Sequence, residues 1–134
     1  MTVTSTRTLA LGSEHDIVIA RQCVRKLCQE LKFTLVDQTK MVTAASELAR
    51  NTLVYGGGGR MQVEVVQDGL KNGVRLHFSD EGPGIPDTDL ALTDGWTSGS
   101  GLGMGLSGAR RLVNEFELAS TVGVGTRVTI LRWA

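Results

Sequence analysis

The stretch GSGLGMGL, residues Gly99 to Leu106, places a glycine at every second position. Glycine inside a regular strand or helix costs roughly 0.5–1 kcal/mol relative to alanine. Four alternating glycines would therefore weaken any packed element that contained them. We expect a function other than packing to require them, and the surrounding sequence has to show which function that is.

Three known phosphate-binding loops can be compared with this stretch. A P-loop requires GxxxxGK[ST], and the chain contains no glycine–lysine pair. Gly103 to Gly108 matches GxGxxG, but it follows a polar loop instead of a strand and has no strand-ending acid about twenty residues later, which argues against a Rossmann site. The lysine, HRD and DFG segments of a eukaryotic-type kinase are absent. What remains is a helix opened by glycines, whose free N–H groups and positive dipole end favour phosphate.

The composition is that of one globular domain. The chain has 134 residues, of which 41% are hydrophobic and 21% charged, and its 14 basic and 14 acidic residues balance. This balance gives no overall positive field for nucleic acid. No apolar run approaches the ~20 residues that span a bilayer, and the first residues do not resemble a signal peptide. We expect a cytoplasmic protein that binds neither nucleic acid nor membrane, with Cys23 and Cys28 reduced and partly buried.

Hydrophobic periodicity predicts the order strand, two helices, hairpin, long loop, helix, hairpin. Ser13 is the expected cap of the first helix. The long loop has two prolines and many small polar residues, and loops of this kind are often functional lids. The predicted ranges are strand Arg7 to Leu11, helix Ser13 to about Phe33, helix Val36 to Tyr55, strands Arg60 to Gln67 and Val74 to Ser79, loop Asp80 to Gly103, helix Met104 to Phe116, and strands Glu117 to Val122 and Thr126 to Trp133.

Two groups of polar residues stand out from the packing pattern. Glu47 and Asn51 lie four positions apart on the second helix, so they share one side of it. Taken alone, this spacing is also typical of a solvated helix face. Asp80 ends a predicted strand, and the glycines after it would let a ligand approach the backbone. The alternative for that segment is a tight turn in which Pro83 and Gly84 set the backbone angles. His15 and His77 are expected to face solvent and to bind no metal.

Together these pieces resemble the GHKL superfamily of gyrase, heat-shock chaperone, mismatch-repair and histidine-kinase ATPases. Glu47 and Asn51 resemble its N box. The first glycine box resembles Asp80-Glu81-Gly82-Pro83-Gly84, and the second resembles Gly101-Leu102-Gly103-Met104-Gly105-Leu106. The remaining motif that the family has on its last hairpin resembles Gly125-Thr126. The resemblance implies the Bergerat fold. This is a two-layer α/β sandwich with a mixed, mostly antiparallel sheet of about five strands, covered on one face by about three helices, and residues 1–134 would form one such domain.

Within that superfamily the chain most resembles the serine/threonine switch kinases of bacterial partner-switching stress signalling. The similar segments are Ser46 to Asn51, Asp94 to Ser98, Arg111 to Phe116, and Arg132-Trp133. The chain departs from that pattern at Asn114, where an acid is expected, and at Gly56, where alanine is expected. We expect neither departure to touch one of the boxes.

The resemblance implies ATP and Mg²⁺ as cofactors. Asp80 would accept a hydrogen bond from the adenine amino group with help from Thr126, Asn51 would bind Mg²⁺ through its side-chain oxygen, and Glu47 would be the catalytic carboxylate near the γ-phosphate. The complete set of implied nucleotide-binding residues is Asn51, Asp80, Gly82, Gly84, Ile85, Gly101, Leu102, Gly103, Met104, Gly105, Leu106 and Thr126.

The phosphate acceptor decides the function. A histidine kinase would need an acceptor helix, and a motor ATPase would need a transducer domain, and we find neither in the sequence. A serine or threonine hydroxyl remains, and the resemblance implies STAS-domain antagonists and stressosome-type scaffold proteins as substrates. It also implies a PP2C-type phosphatase that the released kinase activates. The alternative is a binding module of the anti-sigma factor kind, which uses ATP as a structural or release signal while it sequesters a sigma factor or another regulator.

Overall fold

The computed structural model describes residues 1–93 and 104–134. The element order confirms the predicted sequence of strand, two helices, hairpin, loop, helix and hairpin. The elements are β1 Thr2–Leu11, α1 Glu14–Glu30, α2 Leu35–Val54, β2 Gly59–Asp68, β3 Lys71–Asp80, α3 Thr88–Ala91, α4 Met104–Arg111, β4 Glu115–Thr121 and β5 Gly125–Trp133.

The five strands form one sheet in the order β1-β2-β3-β5-β4. Every pairing among these strands is antiparallel, so the sheet described here has no parallel component. The pairing of β3 with β5 matters most for function, because its register places Asp80 directly opposite Thr126. Two residues that are 46 positions apart in the chain thus meet at one end of the sheet.

The helices cover one face of the sheet, which confirms the two-layer α/β sandwich. Alternate residues of the central strands, such as Met61, Leu76 and Ile130, are fully buried against helix residues such as Met41 and Leu48. The residues between them on each strand face the other way and form an open face. This period-two division is the pattern expected of an antiparallel sheet covered on one side.

Both long helices begin at hydroxyl caps. The Ser13 hydroxyl accepts a hydrogen bond from the Asp16 N–H, as predicted, and the Thr34 hydroxyl accepts one from the Asp37 N–H. Such caps satisfy backbone donors that the first helical turn leaves free. They fix where α1 and α2 start, and therefore which face of α2 carries Glu47 and Asn51.

Some boundaries differ from the sequence prediction. The helix predicted to continue to Phe116 ends at Arg111, and Phe116 lies on β4 opposite Ile130 of β5. The spacing of Phe116 fits a helix, but the residue belongs to the sheet. The long loop contains the short helix α3, capped by the Asp87 side chain, and the first strand starts at Thr2. Among the helices described, none is long and apolar enough to cross a membrane.

Candidate active site

The second helix contributes the carboxylate and the amide that were predicted to act together. Glu47 is exposed, and Asn51, one turn later, is half-buried at the edge of a pocket between α2 and the sheet. The side-chain nitrogen of Asn51 is buried and has no hydrogen-bond partner among the described residues. The side-chain amide of Asn51 is therefore available to a polar group that enters the pocket.

Asp80 lies across the pocket, at the end of β3. Its Oδ1 atom accepts hydrogen bonds from the N–H groups of Gly82, at 2.9 Å, and Thr126, at 3.3 Å. These two donors orient the carboxylate. Because both bonds use Oδ1, the Oδ2 atom remains available to a hydrogen-bond donor on a ligand.

Gly56, just after α2, lies against Asp80. A Cβ atom at Gly56 would stand 2.5 Å from Asp80 Oδ2, and one at Gly82 would stand 2.7 Å from the Gly56 backbone. Real Cβ atoms essentially never approach this closely. The expectation that Gly56 touches none of the boxes is therefore wrong. Its missing side chain is what allows Asp80 to occupy its position.

Two residues that the sequence analysis missed form hydrogen bonds with the segment after Asp80. The Tyr55 hydroxyl donates to the Gly84 carbonyl at 2.8 Å, and the Ser120 hydroxyl accepts from the Ile85 N–H at 2.7 Å. Gly84 has a φ of 77°, which only glycine adopts readily. Ser120 is paired with Thr126 in the last hairpin, and their hydroxyls are 2.8 Å apart. The hairpin register could have identified Ser120.

The pocket itself is narrow and mostly apolar. Its volume is about 20 Å³, room for about one water molecule, so a larger ligand requires it to widen. Asp80, Asn51 and Thr126 are polar groups at its wall. The other lining residues are Leu48, Thr52, Tyr55, Phe78, Ile85, Leu106 and Val128. Once widened, an apolar pocket with one oriented carboxylate would be chemically complementary to a flat heterocycle that carries an amino group.

The start of α4 reaches the same pocket. Leu106, in the first turn of this helix, is buried and lines the pocket wall. Met104 and Gly105 begin the helix. The predicted binding residues Gly101, Leu102 and Gly103, like the segment Asp94 to Ser98, lie outside the described residues. The helix start supplies free N–H groups and the positive end of the helix dipole, which suit phosphate.

Glu47 lies one turn before Asn51 on α2, but it does not line the pocket that Asn51 and Asp80 line. It lines a groove of about 340 Å³ between α1 and α2, together with Arg21, Arg25 and Arg50. Arg50 also forms an ion pair with Glu14 at 3.0 Å, and both side chains are more than half exposed. Within the described residues the Glu47 carboxylate accepts no hydrogen bond. It is therefore free to receive a proton from a group that enters the groove.

The donor set also suits a magnesium ion bound with phosphates. Asn51 offers one hard oxygen ligand, which is what Mg²⁺ takes from a protein when phosphates and waters complete its octahedron. The described residues contain no group of three or more histidine, cysteine, aspartate or glutamate residues that could hold a metal by themselves.

The chain can be compared with known proteins at three levels. Residues 36–133 match the model of the family described as histidine kinase-, DNA gyrase B-, and HSP90-like ATPase. The serine/threonine-protein kinase RsbT of Bacillus subtilis is 46% identical over 90% of this chain and 91% of its own length. An anti-sigma F factor of Clostridium novyi is 30% identical over 88% of this chain and 86% of its own length.

Two solved structures share the fold. The crystal structure of the RsbU and RsbW domains of a Mycobacterium tuberculosis protein aligns with a TM-score of 0.65 at 20% identity, over 96% of this chain and 32% of that one. The SiaB-SiaC complex of Pseudomonas aeruginosa aligns with a TM-score of 0.57 at 12% identity, over 98% of this chain and 91% of that one. The chain therefore belongs to the histidine kinase-, DNA gyrase B- and HSP90-like ATPases, and within them it is a homologue of the serine/threonine-protein kinase RsbT.

Proposed function

We propose that this chain transfers the γ-phosphate of ATP to a serine or threonine hydroxyl of a partner protein. The observation that carries the proposal is that α2 contributes residues both to the pocket that contains Asp80 and to the groove between α1 and α2. Asn51 faces the pocket that contains Asp80, while Glu47, one turn away, faces an open groove. A nucleotide in the pocket and a protein hydroxyl in the groove would meet at this turn of the helix.

Asp80 is the proposed adenine anchor. Its Oδ1 is held by two backbone amides, so Oδ2 can accept a hydrogen bond from the adenine amino group. Thr126 assists through its hydroxyl, which Ser120 orients. Leu48, Phe78 and Ile85 supply apolar surface for the faces of the base. The bond to the amino group distinguishes adenine from guanine, which carries an oxygen there.

Asn51 is the proposed protein ligand of Mg²⁺. The metal, when bound with ATP, neutralises negative charge on the transferring phosphates. The start of α4, with Met104, Gly105 and Leu106, is proposed to face the phosphates, and Gly101 to Gly103 are proposed to let them approach the backbone. Phosphoryl transfer depends mostly on such positioning and charge neutralisation.

Glu47 is the proposed general base. The acceptor hydroxyl oxygen forms a bond to the γ-phosphorus while the bond from that phosphorus to the β–γ bridging oxygen breaks, and ADP leaves. Glu47 takes the hydroxyl proton. Its exposed carboxylate, with no hydrogen bond to other described residues, can reach a hydroxyl that a substrate loop brings into the groove. The three arginines of the groove suit an acidic surface around that loop.

We further propose STAS-domain antagonists and stressosome-type scaffold proteins as the substrates. Release from a phosphorylated partner would free the kinase to activate a PP2C-type phosphatase. The similarity to RsbT over nearly the whole chain supports this partner-switching role.

The test is a phosphotransfer assay with purified STAS-domain proteins and Mg-ATP, with mass spectrometry to detect phosphoserine or phosphothreonine. Replacing Glu47→Gln is expected to reduce the transfer rate at least about a hundredfold, while ATP affinity stays within about twofold. Glu117→Gln, at an exposed site on β4, is the matched control and should behave as wild type. Transfer at the wild-type rate by the Glu47 variant would exclude its role as the base.

A second candidate function is sequestration of a sigma factor. The 30% identity to an anti-sigma F factor favours it. Binding of a purified sigma factor in the same assay, without phosphorylation of any STAS protein, would support sequestration over the kinase role.

A further inference from the structure

The open face of the sheet carries a second concave site, on the opposite side from the helices. A cavity of about 340 Å³ is lined by Thr8, Arg60, Gln62, His77, Ser79 and Arg127. Five of these side chains carry an N–H or O–H donor, and none of the six is acidic. The sixth, His77, has its ring nitrogens within hydrogen-bond distance of Thr129 and Glu64. A cavity lined by two arginines and no carboxylate is complementary to an anion.

Strand register explains how the two arginines come together. Arg60 of β2 is opposite Ser79 of β3, and Ser79 is opposite Arg127 of β5. The two arginines therefore flank one serine from neighbouring strands, with Cα atoms about 10 Å apart across two strand spacings. Side chains of this length can converge on a ligand above Ser79. Thr8, Gln62 and His77 form the adjacent row of the same face.

Neither arginine is neutralised within the described residues. Arg60 and Arg127 are exposed and form no ion pair there. Glu64 lies on the same face, but its Oε1 accepts a hydrogen bond from Arg75 at 2.7 Å and lies 2.5 Å from His77 Nε2. Glu64 thus pairs with Arg75 and His77 and forms no ion pair with Arg60 or Arg127, so the cavity keeps two positive charges.

We propose that this cavity binds a small polyanion, a molecule that carries phosphate or carboxylate groups. Arginine pairs of this kind bind such groups with two parallel hydrogen bonds each, and the Thr8 and Ser79 hydroxyls can donate further ones. A neighbouring cavity of about 380 Å³ shares Arg60, Ser79 and Arg127. Because that second cavity also contains Asp80 and Glu81, the anion should lie toward Thr8.

The site lies on the open face of the sheet, and the nucleotide pocket lies between the sheet and the helices at the same ends of β3 and β5. Ser79 immediately precedes Asp80 and Arg127 immediately follows Thr126, and both Asp80 and Thr126 line the nucleotide pocket. A ligand on the open face therefore contacts the same two strand ends as the proposed adenine anchor. The inference does not depend on the kinase reaction and can be tested without it.

The experiment is a titration of the isotope-labelled full chain with pyrophosphate, followed by amide chemical shifts in NMR spectra. A parallel titration uses citrate, and a third uses sodium chloride at matched ionic strength. We expect saturable shifts at Thr8, Gln62, Ser79 and Arg127. Saturation by pyrophosphate alone would identify a phosphate site, and saturation by both probes a general polyanion site.

The variant Arg60→Gln/Arg127→Gln is expected to weaken binding at least about tenfold. The double variant Lys40→Gln/Lys71→Gln makes the same change in net charge at exposed positions elsewhere and should bind as wild type. Shifts confined to Asn51 and the start of α4, shifts equal to those caused by sodium chloride, or equal affinity in the arginine variant would each overturn the proposal. Because both arginines are exposed, single Arg60→Gln and Arg127→Gln variants provide a second test should the double variant misfold.

Discussion

At the scale of single residues, the candidate site depends on groups that the sequence reveals to different degrees. Asp80, Asn51 and Thr126 are singled out through the resemblance to the GHKL boxes, and the structure brings all three to one pocket. Tyr55 and Ser120 could not be recognised in the same way, since a tyrosine hydroxyl on a backbone carbonyl and a serine on a backbone amide acquire meaning only through tertiary register. Residues that position other groups are harder to predict from sequence than residues that belong to a family motif.

Gly56 gives a sharp prediction at this scale. In Gly56→Ala the new Cβ would overlap the Asp80 side chain and displace the carboxylate from its two amide donors. We expect ATP affinity to fall at least about tenfold, or about 1.4 kcal/mol, as measured by calorimetric titration. Gly12→Ala is the control, because a Cβ there would meet only an ordinary contact with Asp16 at 3.7 Å. Wild-type affinity in Gly56→Ala would show that Asp80 has freedom that the packing does not indicate.

Asp80 itself can be tested by a nearly isosteric change. Asp80→Asn can keep an oxygen toward the Gly82 and Thr126 amides, but it then replaces the free Oδ2 acceptor by an NH₂ donor. ATP binding should weaken at least about tenfold, and the preference for ATP over GTP should fall, because guanine presents an oxygen to that donor. Competition titrations with the two nucleotides measure the ratio. An unchanged ratio would argue against Asp80 as the group that recognises the base.

Cys28 provides a residue-scale check on the core. Burial raises the pKa of its thiol to about 12, although the nearby Arg132 charge acts in the opposite direction. The thiolate is the reactive form, so Cys28 should resist thiol reagents at neutral pH while the half-buried Cys23 reacts. Mass spectrometry after labelling should find the label at Cys23 in the folded chain and at both cysteines in denaturant. Fast labelling of native Cys28 would show that α1 opens readily.

At the scale of elements, period-two alternation was enough to predict the four strands of the two hairpins and their order. The end of α4 was not predictable in the same way, because Leu112, Val113 and Phe116 have a spacing that also fits a helix. Pairing of Asn114 and β4 with the end of β5 overrides that local pattern. Helix α3 is too short for periodicity to reveal, and only its Asp87 cap marks it.

Arg132 links three of these elements. It donates to the Leu112 carbonyl after α4 at 2.8 Å, and it pairs with Asp37 in the first turn of α2 at 2.5 Å. The hydrogen bond from Arg132 holds the pKa of the Asp37 carboxyl below its usual value. Since the folded-state pKa is lowered, this stabilisation is present above the unfolded pKa, near 4, and is lost as the pH falls through the folded value.

Asp37→Asn should therefore lower the free energy of unfolding at neutral pH. The difference from wild type should shrink as the pH falls below about 4, because protonation removes the same charge from Asp37. Denaturant unfolding curves at several pH values measure it, with Asp89→Asn on α3 as the control variant, because the structure gives the Asp89 side chain no ion pair with other described residues. A difference that does not depend on pH would assign the effect of Asp37 to packing or capping and not to charge.

At the scale of the whole molecule, the pocket draws on chain segments that are far apart in sequence. The end of α2, the segment after β3, the start of α4 and the last hairpin all line it, while β1 lies at the opposite edge of the sheet. A ligand that binds only the folded state stabilises it through mass action. A nucleotide in this pocket would contact all of these segments, so its binding should slow local opening in each of them.

Hydrogen exchange can test whether a bound nucleotide contacts all of these segments. With saturating Mg-ADP, we expect slower amide exchange in three separate segments, Asn51 to Gly58, Glu81 to Ile85 and Leu106 to Leu112, and unchanged exchange in β1. The reason is that each of the three contributes to the pocket wall or to its supporting hydrogen bonds, whereas no residue of β1 lines the pocket. Peptide-resolved mass spectrometry gives the measurement, and sodium chloride at the same ionic strength is the control. Protection restricted to one segment, or strongest in β1, would mean that the nucleotide binds somewhere other than between α2 and the sheet.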